Sequence, residues 1–234
     1  MIKLASRTIG AGLIAALLAG CSSEQGGSVN LTKTLATTLV GVAKSRRSEA
    51  PQQVTVTPEM YAKIVIPLLQ VNPQESGGSD FLQRKVIRRD SLPGAVEVWS
   101  SSDNAQIFLR NGVVIGTRGI GRDIIAADAN YTVKALRTGA NGSGIRTFTV
   151  SDGDVTTSKL SYRCEIGNQG AEKIIVVNRG FTVNHFVENC STTIAGAPDL
   201  HNDYWVERGT GIVRKSKQWV GPAVGYFEMV MLKN

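Results

Sequence analysis

The sequence predicts a mainly β protein: a curved antiparallel sheet, open barrel or sandwich-like, built from consecutive hairpins and covered by one N-terminal helix. Three observations carry this. Runs of β-branched residues broken by short turn signals begin near Val54 and continue to the end of the chain. Glycine supplies 25 of 234 residues while aromatics make up only 6%, a balance suited to short strands and tight turns. Helical periodicity is clear in one stretch only, Leu31 to Val42. A hydrophobic share of 42% with 19% charged residues also argues against a disordered chain or a coiled coil.

The first element is a leader. Lys3 and Arg7 precede an uncharged apolar run from Ile9 to Leu18, then the small residues Ala19 and Gly20, so residues 1–20 read as a signal peptide. The run is about half of the roughly 20 residues a spanning helix needs. Leu18-Ala19-Gly20-Cys21 resembles the bacterial lipobox, which implies that Cys21 is acylated and heads the mature chain. The plainer reading is an ordinary export signal that happens to end at a cysteine. Ser22 in place of aspartate points to sorting to the outer membrane, periplasmic face. Several acyl chains on one residue make a stable anchor where a single chain is marginal. Loss of Lys3 and Arg7 leaves 24 basic against 19 acidic residues. Export removes nucleic acid from the partners of that charge and leaves membrane, acidic polysaccharide or solubility.

Residues 21–29, with Gly26 and Gly27, form a polar tether. From residue 30 to 234 the chain reads as a single β-rich domain, with a subdivision near residue 140 as the alternative. Asn30 caps a helix whose apolar stripe is Leu31, Leu35, Leu39 and Val42, ending near Ser45-Arg46-Arg47 before Pro51. Pro67 interrupts the run from Lys63 to Val71 and demotes it to an edge or bulged strand. Gln74 to Ser79 is a loop. Asn111-Gly112 between Ile107–Arg110 and Val113–Ile115 is the strongest hairpin signal. Asp152-Gly153, Asn178-Arg179-Gly180 and Gly209-Thr210-Gly211 mark three more. Connections this short require antiparallel neighbours. Gly116, Gly119 and Gly121 mark a bend in the sheet, and Gly139 to Gly144 is a second glycine-rich break.

Once Cys21 is assigned to lipid, Cys164 and Cys190 remain as an even pair in an oxidising compartment. A disulfide closing that loop would stabilise the fold by about 3.5 kcal/mol on the chain-entropy model; free thiols or a two-cysteine metal site are the alternatives.

Catalytic chemistry finds little to stand on. There are two histidines, His185 and His201. His185 alternates with Val183 and Val187 and reads as a packed strand residue. Asp199, His201 and Asp203 alternate in a segment after Pro198 that reads as a solvated loop, so their metal-ligand spacing is generic. No nucleophile elbow, His-Glu-x-x-His helix or phosphate loop occurs. Carboxylates such as Glu97 and Asp103 would serve a glycosidase only if the fold set a second acid at the right separation. Neither a catalytic residue, a metal nor a cofactor is expected. Trp99, Tyr204, Trp205 and Trp219 are candidate sugar-stacking or core aromatics. Arg214, Lys215 and Lys217 are candidate glycan or partner contacts, Arg214 differing in strand parity from the two lysines. Arg84, Lys85, Arg88 and Arg89 form another basic cluster.

Several segments resemble the YjbF/GfcB family of outer-membrane lipoproteins, associated with group 4 capsule and other exopolysaccharide production. They are Trp99-Ser100, Leu109-Arg110-Asn111-Gly112, Gly116-Thr117 with Gly119-Ile120 and Asp123, Glu188-Asn189-Cys190, Asn202, Tyr204-Trp205-Val206, and the ending Gly211, Val213, Lys215-Ser216, Gln218, Gly221-Pro222. The resemblance implies a non-enzymatic, lipid-anchored protein that assists capsule or exopolysaccharide export beside envelope partner proteins, and it carries over no active site. The tryptophan strand, glycine turn and final strand are similar, in fold only, to open-barrel carriers of the LolA/LolB group. A lipid- or lipoprotein-binding carrier with an apolar cavity is therefore the alternative, and a polysaccharide-modifying enzyme a third reading.

Overall fold

The structure, a computed structural model, describes residues 52–153 and 155–234. The signal peptide, Cys21, the tether and the helix expected over Leu31 to Val42 lie outside the described residues. The described part forms one antiparallel sheet of twelve strands in the order β5-β4-β3-β2-β1-β12-β11-β10-β9-β8-β7-β6. The strands are β1 (Leu68–Pro73), β2 (Asp80–Arg88), β3 (Val96–Ser100), β4 (Gln106–Arg110), β5 (Val113–Arg118), β6 (Ile124–Asp128), β7 (Gly142–Ser151), β8 (Thr157–Val176), β9 (Arg179–Ser191), β10 (Leu200–Glu207), β11 (Val213–Trp219) and β12 (Tyr226–Lys233). Two meanders join where the first strand pairs with the last, Val71 opposite Met229. The sheet curls until β5 and β6 face each other, which makes a nearly closed barrel.

Side chains, not a ladder, hold that last seam. Ile124 N–H donates to Thr117 Oγ1 at 2.9 Å. Asp123 accepts from Gly119 N–H at 2.7 Å and Ile120 N–H at 3.2 Å. Inside the barrel, Val114 on β5 gives its N–H to Gln218 Oε1 at 2.9 Å, and its carbonyl accepts from Arg146 Nη2 at 3.0 Å. Two buried side chains thus supply the partners that a neighbouring strand would have given. The glycines expected to mark a bend therefore sit at the closure of the sheet.

The hairpins form where their turn chemistry predicts. Asn111 and Gly112 both have positive φ, 48° and 81°, as a type I′ turn requires. A Cβ on Gly112 would also collide with Val213, so the position excludes other residues twice over. The β8–β9 turn is one residue earlier than expected: Val177 takes the left-handed conformation at φ 59°, and Arg179 is already paired with Val176. Strand β1 starts immediately after Pro67. It is bulged between Leu68 and Leu69 but is no edge, because β2 and β12 flank it.

Among the described residues, two helices precede and interrupt the sheet: α1 (Pro58–Ala62) and α2 (Asn130–Thr138). Thr57 caps α1 by accepting from Met60 N–H. Helix α2 has no side-chain cap and ends at Gly139 in the left-handed conformation. At nine residues it is too short to be stable alone, which is why periodicity did not reveal it. Its stability comes from packing Val133, Ala135 and Leu136 against Val113, Ile166, Phe186, Tyr204, Val206 and Val213. The rest of the interior is filled by Trp99, Phe148, Tyr162, Trp219 and aliphatic neighbours, with Phe148 edge-on to Tyr162 and Trp219. A smaller cluster on the other face joins Val56, Ile64, Leu68 and Leu232 to Phe81 and Val176. It packs the segment around α1 beside the end of the β8–β9 hairpin.

Candidate functional site

Among the described residues, polar chemistry gathers inside the barrel and on its outer face. Inside, Glu188 on β9 and Arg146 on β7 are 0% and 1% exposed and lie 2.5 Å apart. Glu188 accepts five hydrogen bonds, from Tyr131 and Thr132 on α2, Arg146, Asn202 and Tyr204. Burial pushes its carboxyl up, but the Arg146 charge and the Thr132, Tyr131 and Asn202 hydrogen bonds outweigh that and hold it below the usual range. Burial and the adjacent carboxylate push the Tyr131 and Tyr204 hydroxyls up, so both stay neutral donors. Asn202 Oδ1 accepts from Trp219 N–H at 2.8 Å, which ties the cluster to β11.

The Cys164–Cys190 disulfide, joining directly opposed residues of β8 and β9, lies beside this carboxylate. Among the described residues these three are grouped closely enough to suggest a metal centre. Their sulfurs are bonded to each other and the carboxylate is saturated by protein donors, so the group is a structural brace.

On the outer face, β9, β10 and β11 present a continuous polar row. The His185 ring stacks on Trp205 at 4.6 Å between centroids, 5° from parallel. Lys215, paired with Trp205 from the opposite strand, holds its Nζ 5.2 Å from the same ring. Asp203 bridges the two histidines, with Oδ1 2.8 Å from His185 Nε2 and Oδ2 3.6 Å from His201 Nε2. His201 Nδ1 lies 2.7 Å from Asn189 Oδ1. The Trp205 indole N–H donates to Glu172, and Lys215 is paired with Glu228 at 2.6 Å. Beside the row, Arg163, Glu165, Asn189, Ser191, Asp199 and His201 line an open cleft of about 460 Å³. Hydroxyl-rich ligands are held by such alternating donors and acceptors, with an aromatic face and cations at the margin.

The residues expected from sequence separate into two groups. Trp99, Tyr204 and Trp219 are buried at 0%, 0% and 3% exposure and belong to the core, so they present no surface to a glycan. Trp99 donates to Glu97 Oε2 and lies under Arg84. Trp205, Lys215 and Lys217 lie on the outer face. Arg214 joins them there, because a bulge lets β11 skip it: Trp205 pairs with Lys215 and Val206 with Val213. The expected difference in parity is thereby cancelled. Arg214 is held by two bonds to Glu207, at 2.9 and 2.7 Å, over the Phe181 ring.

Of the two expectations about histidine, one changes. Asp199 to Asp203 is not a loop but enters β10 at Leu200. His185 is packed as expected, against the Trp205 ring of the neighbouring strand. Neither Arg146 nor Glu188 was expected as a site residue, although Glu188 lies in a segment that carries the family resemblance. The signal was present: Arg146 shares strand parity with Phe148 and Val150, and Glu188 with Cys190, so each is a charge on an apolar face.

Known proteins bear on this architecture. A model of the family described as group 4 capsule polysaccharide lipoprotein GfcB, YjbF matches residues 32–232. No curated protein matches the sequence. Among solved structures, the hypothetical lipoprotein YmcC from Escherichia coli (K12) is similar in fold, with a TM-score of 0.65 at 20% identity, over 90% of this chain and 98% of that one.

Proposed function

Because the chain belongs to the YjbF family of group 4 capsule polysaccharide lipoproteins, we propose that it assists export or secretion of capsule or exopolysaccharide without catalysing a reaction. It would act from the outer membrane, held by the acylated Cys21, and through contacts on its outer face with export partners or the acidic polymer itself. The observation that carries this reading is the row His185, Trp205, Lys215 and Lys217 beside an open polar cleft. Such a surface is built to contact an extended polar chain or a protein edge. It lacks the enclosure that reacting groups need to exclude water.

The barrel interior favours this over the carrier alternative. Trp99, Phe148, Tyr162 and Trp219 fill one part, and α2 with the Arg146–Glu188 pair occupies another. An acyl chain entering there would have to displace both. The separating experiment is delipidated binding: the purified protein should take up no fatty acyl chain stoichiometrically, yet retain anionic capsule polymer or its export partner on a column. Stoichiometric acyl binding would install the carrier reading instead. Anchoring is tested apart, by fractionating a Cys21→Ala variant, which should leave the membrane.

A further inference from the structure

The β2–β3 hairpin projects past its neighbour, since β1 pairs with β2 only as far as Gln83 and β3 alone accompanies Arg84 to Arg88. On this projection Lys85, Arg88 and Arg89 are all exposed. Val86, Ile87 and Leu92 are exposed with them, at 38%, 52% and 45%. The adjacent acids are already paired: Asp90, itself exposed, is clamped by Arg110 at 2.8 and 2.6 Å, and Glu97 accepts from Trp99 and lies 3.6 Å from Arg84. Helix α2, whose Val133 abuts Gly94 of this loop, adds exposed Lys134 and Arg137. Asp128 at the head of α2 is exposed but accepts from Asn130 N–H.

Single exposed aliphatics need no explanation, but three on one projection, among cations whose neighbouring acids are already paired, do. A glycan or acidic protein would use the cations and leave the aliphatics in water. An anionic bilayer surface uses both, taking aliphatic side chains at the acyl boundary and cations at the phosphates. The sequence independently calls for a bilayer within reach, through the lipobox at Cys21. We propose that the β2–β3 tip, flanked by Lys134 and Arg137, is a membrane-docking surface that seats the barrel on an anionic phospholipid leaflet. This goes beyond the export reading and does not depend on it.

The test uses the acylated full-length protein on vesicles of phosphatidylethanolamine with phosphatidylglycerol, and on phosphatidylcholine alone. A bimane label is placed at Leu92→Cys or, as a control, at Val155→Cys, where the native side chain is 94% exposed. On the anionic vesicles the label at 92 should shift to the blue and be quenched by brominated lipid, while the label at 155 stays aqueous. Adding either R88E with R89E or K134E with R137E should abolish the shift without changing the melting temperature, and high salt should weaken it. The proposal is overturned if the label at 92 remains as aqueous as that at 155. It is equally overturned if phosphatidylcholine gives the same shift, or if the label responds only to added acidic polysaccharide.

Discussion

Arg146 and Glu188 are opposite charges that the barrel removes from water together. Their mutual attraction and the hydrogen bonds around them offset a desolvation cost of several kcal/mol per ion. Glu188→Gln leaves Arg146 buried and unpaired, and should cost about 3–5 kcal/mol, a fall of roughly 10 °C in melting temperature for a domain of this size. Replacing both, Arg146→Met with Glu188→Leu, should recover much of the loss when measured by thermal melting. Asp90 gives a pH-dependent counterpart. The hydrogen bonds from Arg110, with that of Leu92 N–H, lower its carboxyl to about 2. A depressed carboxylate contributes stability above its unfolded value near 3.9 and loses it as pH falls toward 2. A carbon-detected titration of Asp90 should therefore have its midpoint near 2, moving up toward 3.9 in Arg110→Met. At this scale the sequence was legible where counting leaves one pairing, as at Cys164 and Cys190, and silent where partners must be found among many. The partners of Glu188 come from α2, β7, β9's own neighbour β10 and no nearby residue, and spacing cannot show that.

Hairpins were the most legible elements, because Asn111-Gly112 and Gly209-Thr210-Gly211 encode turn conformation in adjacent residues. Gly112→Ala should destabilise by more than 1 kcal/mol, since its φ is positive and its Cβ would strike Val213; chemical denaturation measures this directly. Removing the β8–β9 cross-link with Cys164→Ala and Cys190→Ala should cost about 2–4 kcal/mol. Non-reducing peptide mapping of the parent should recover the linked pair. Helix α2 and the bulge at Arg214 escaped the sequence for a common reason, whereas Pro67 signalled the bulge in β1. Each is imposed by tertiary packing: α2 by the barrel interior it fills, and the skipped Arg214 by the register β11 keeps with β10.

At the scale of the molecule, antiparallel topology followed from short connections, but the closing of the sheet did not. Closure depends on β1 meeting β12 and on Gln218 and Arg146 satisfying Val114 from 104 and 32 residues away, contacts that no local pattern reveals. The result is a filled barrel, and the central claim is the proposal that its functional chemistry faces outward. It is tested most directly by the polymer secreted from a deletion strain complemented with His185→Phe, His201→Gln or the double variant Trp205→Ala with Lys215→Glu, each verified to accumulate and to melt as the parent does. A contact surface predicts that His185→Phe, which keeps the stack on Trp205 but has no ring nitrogen, and His201→Gln secrete near-normal polymer, while Trp205→Ala with Lys215→Glu loses most of it. A folded, stable His185→Phe or His201→Gln protein that secretes none would contradict the account, because contact through the Trp205 and Lys215 surface would then not suffice.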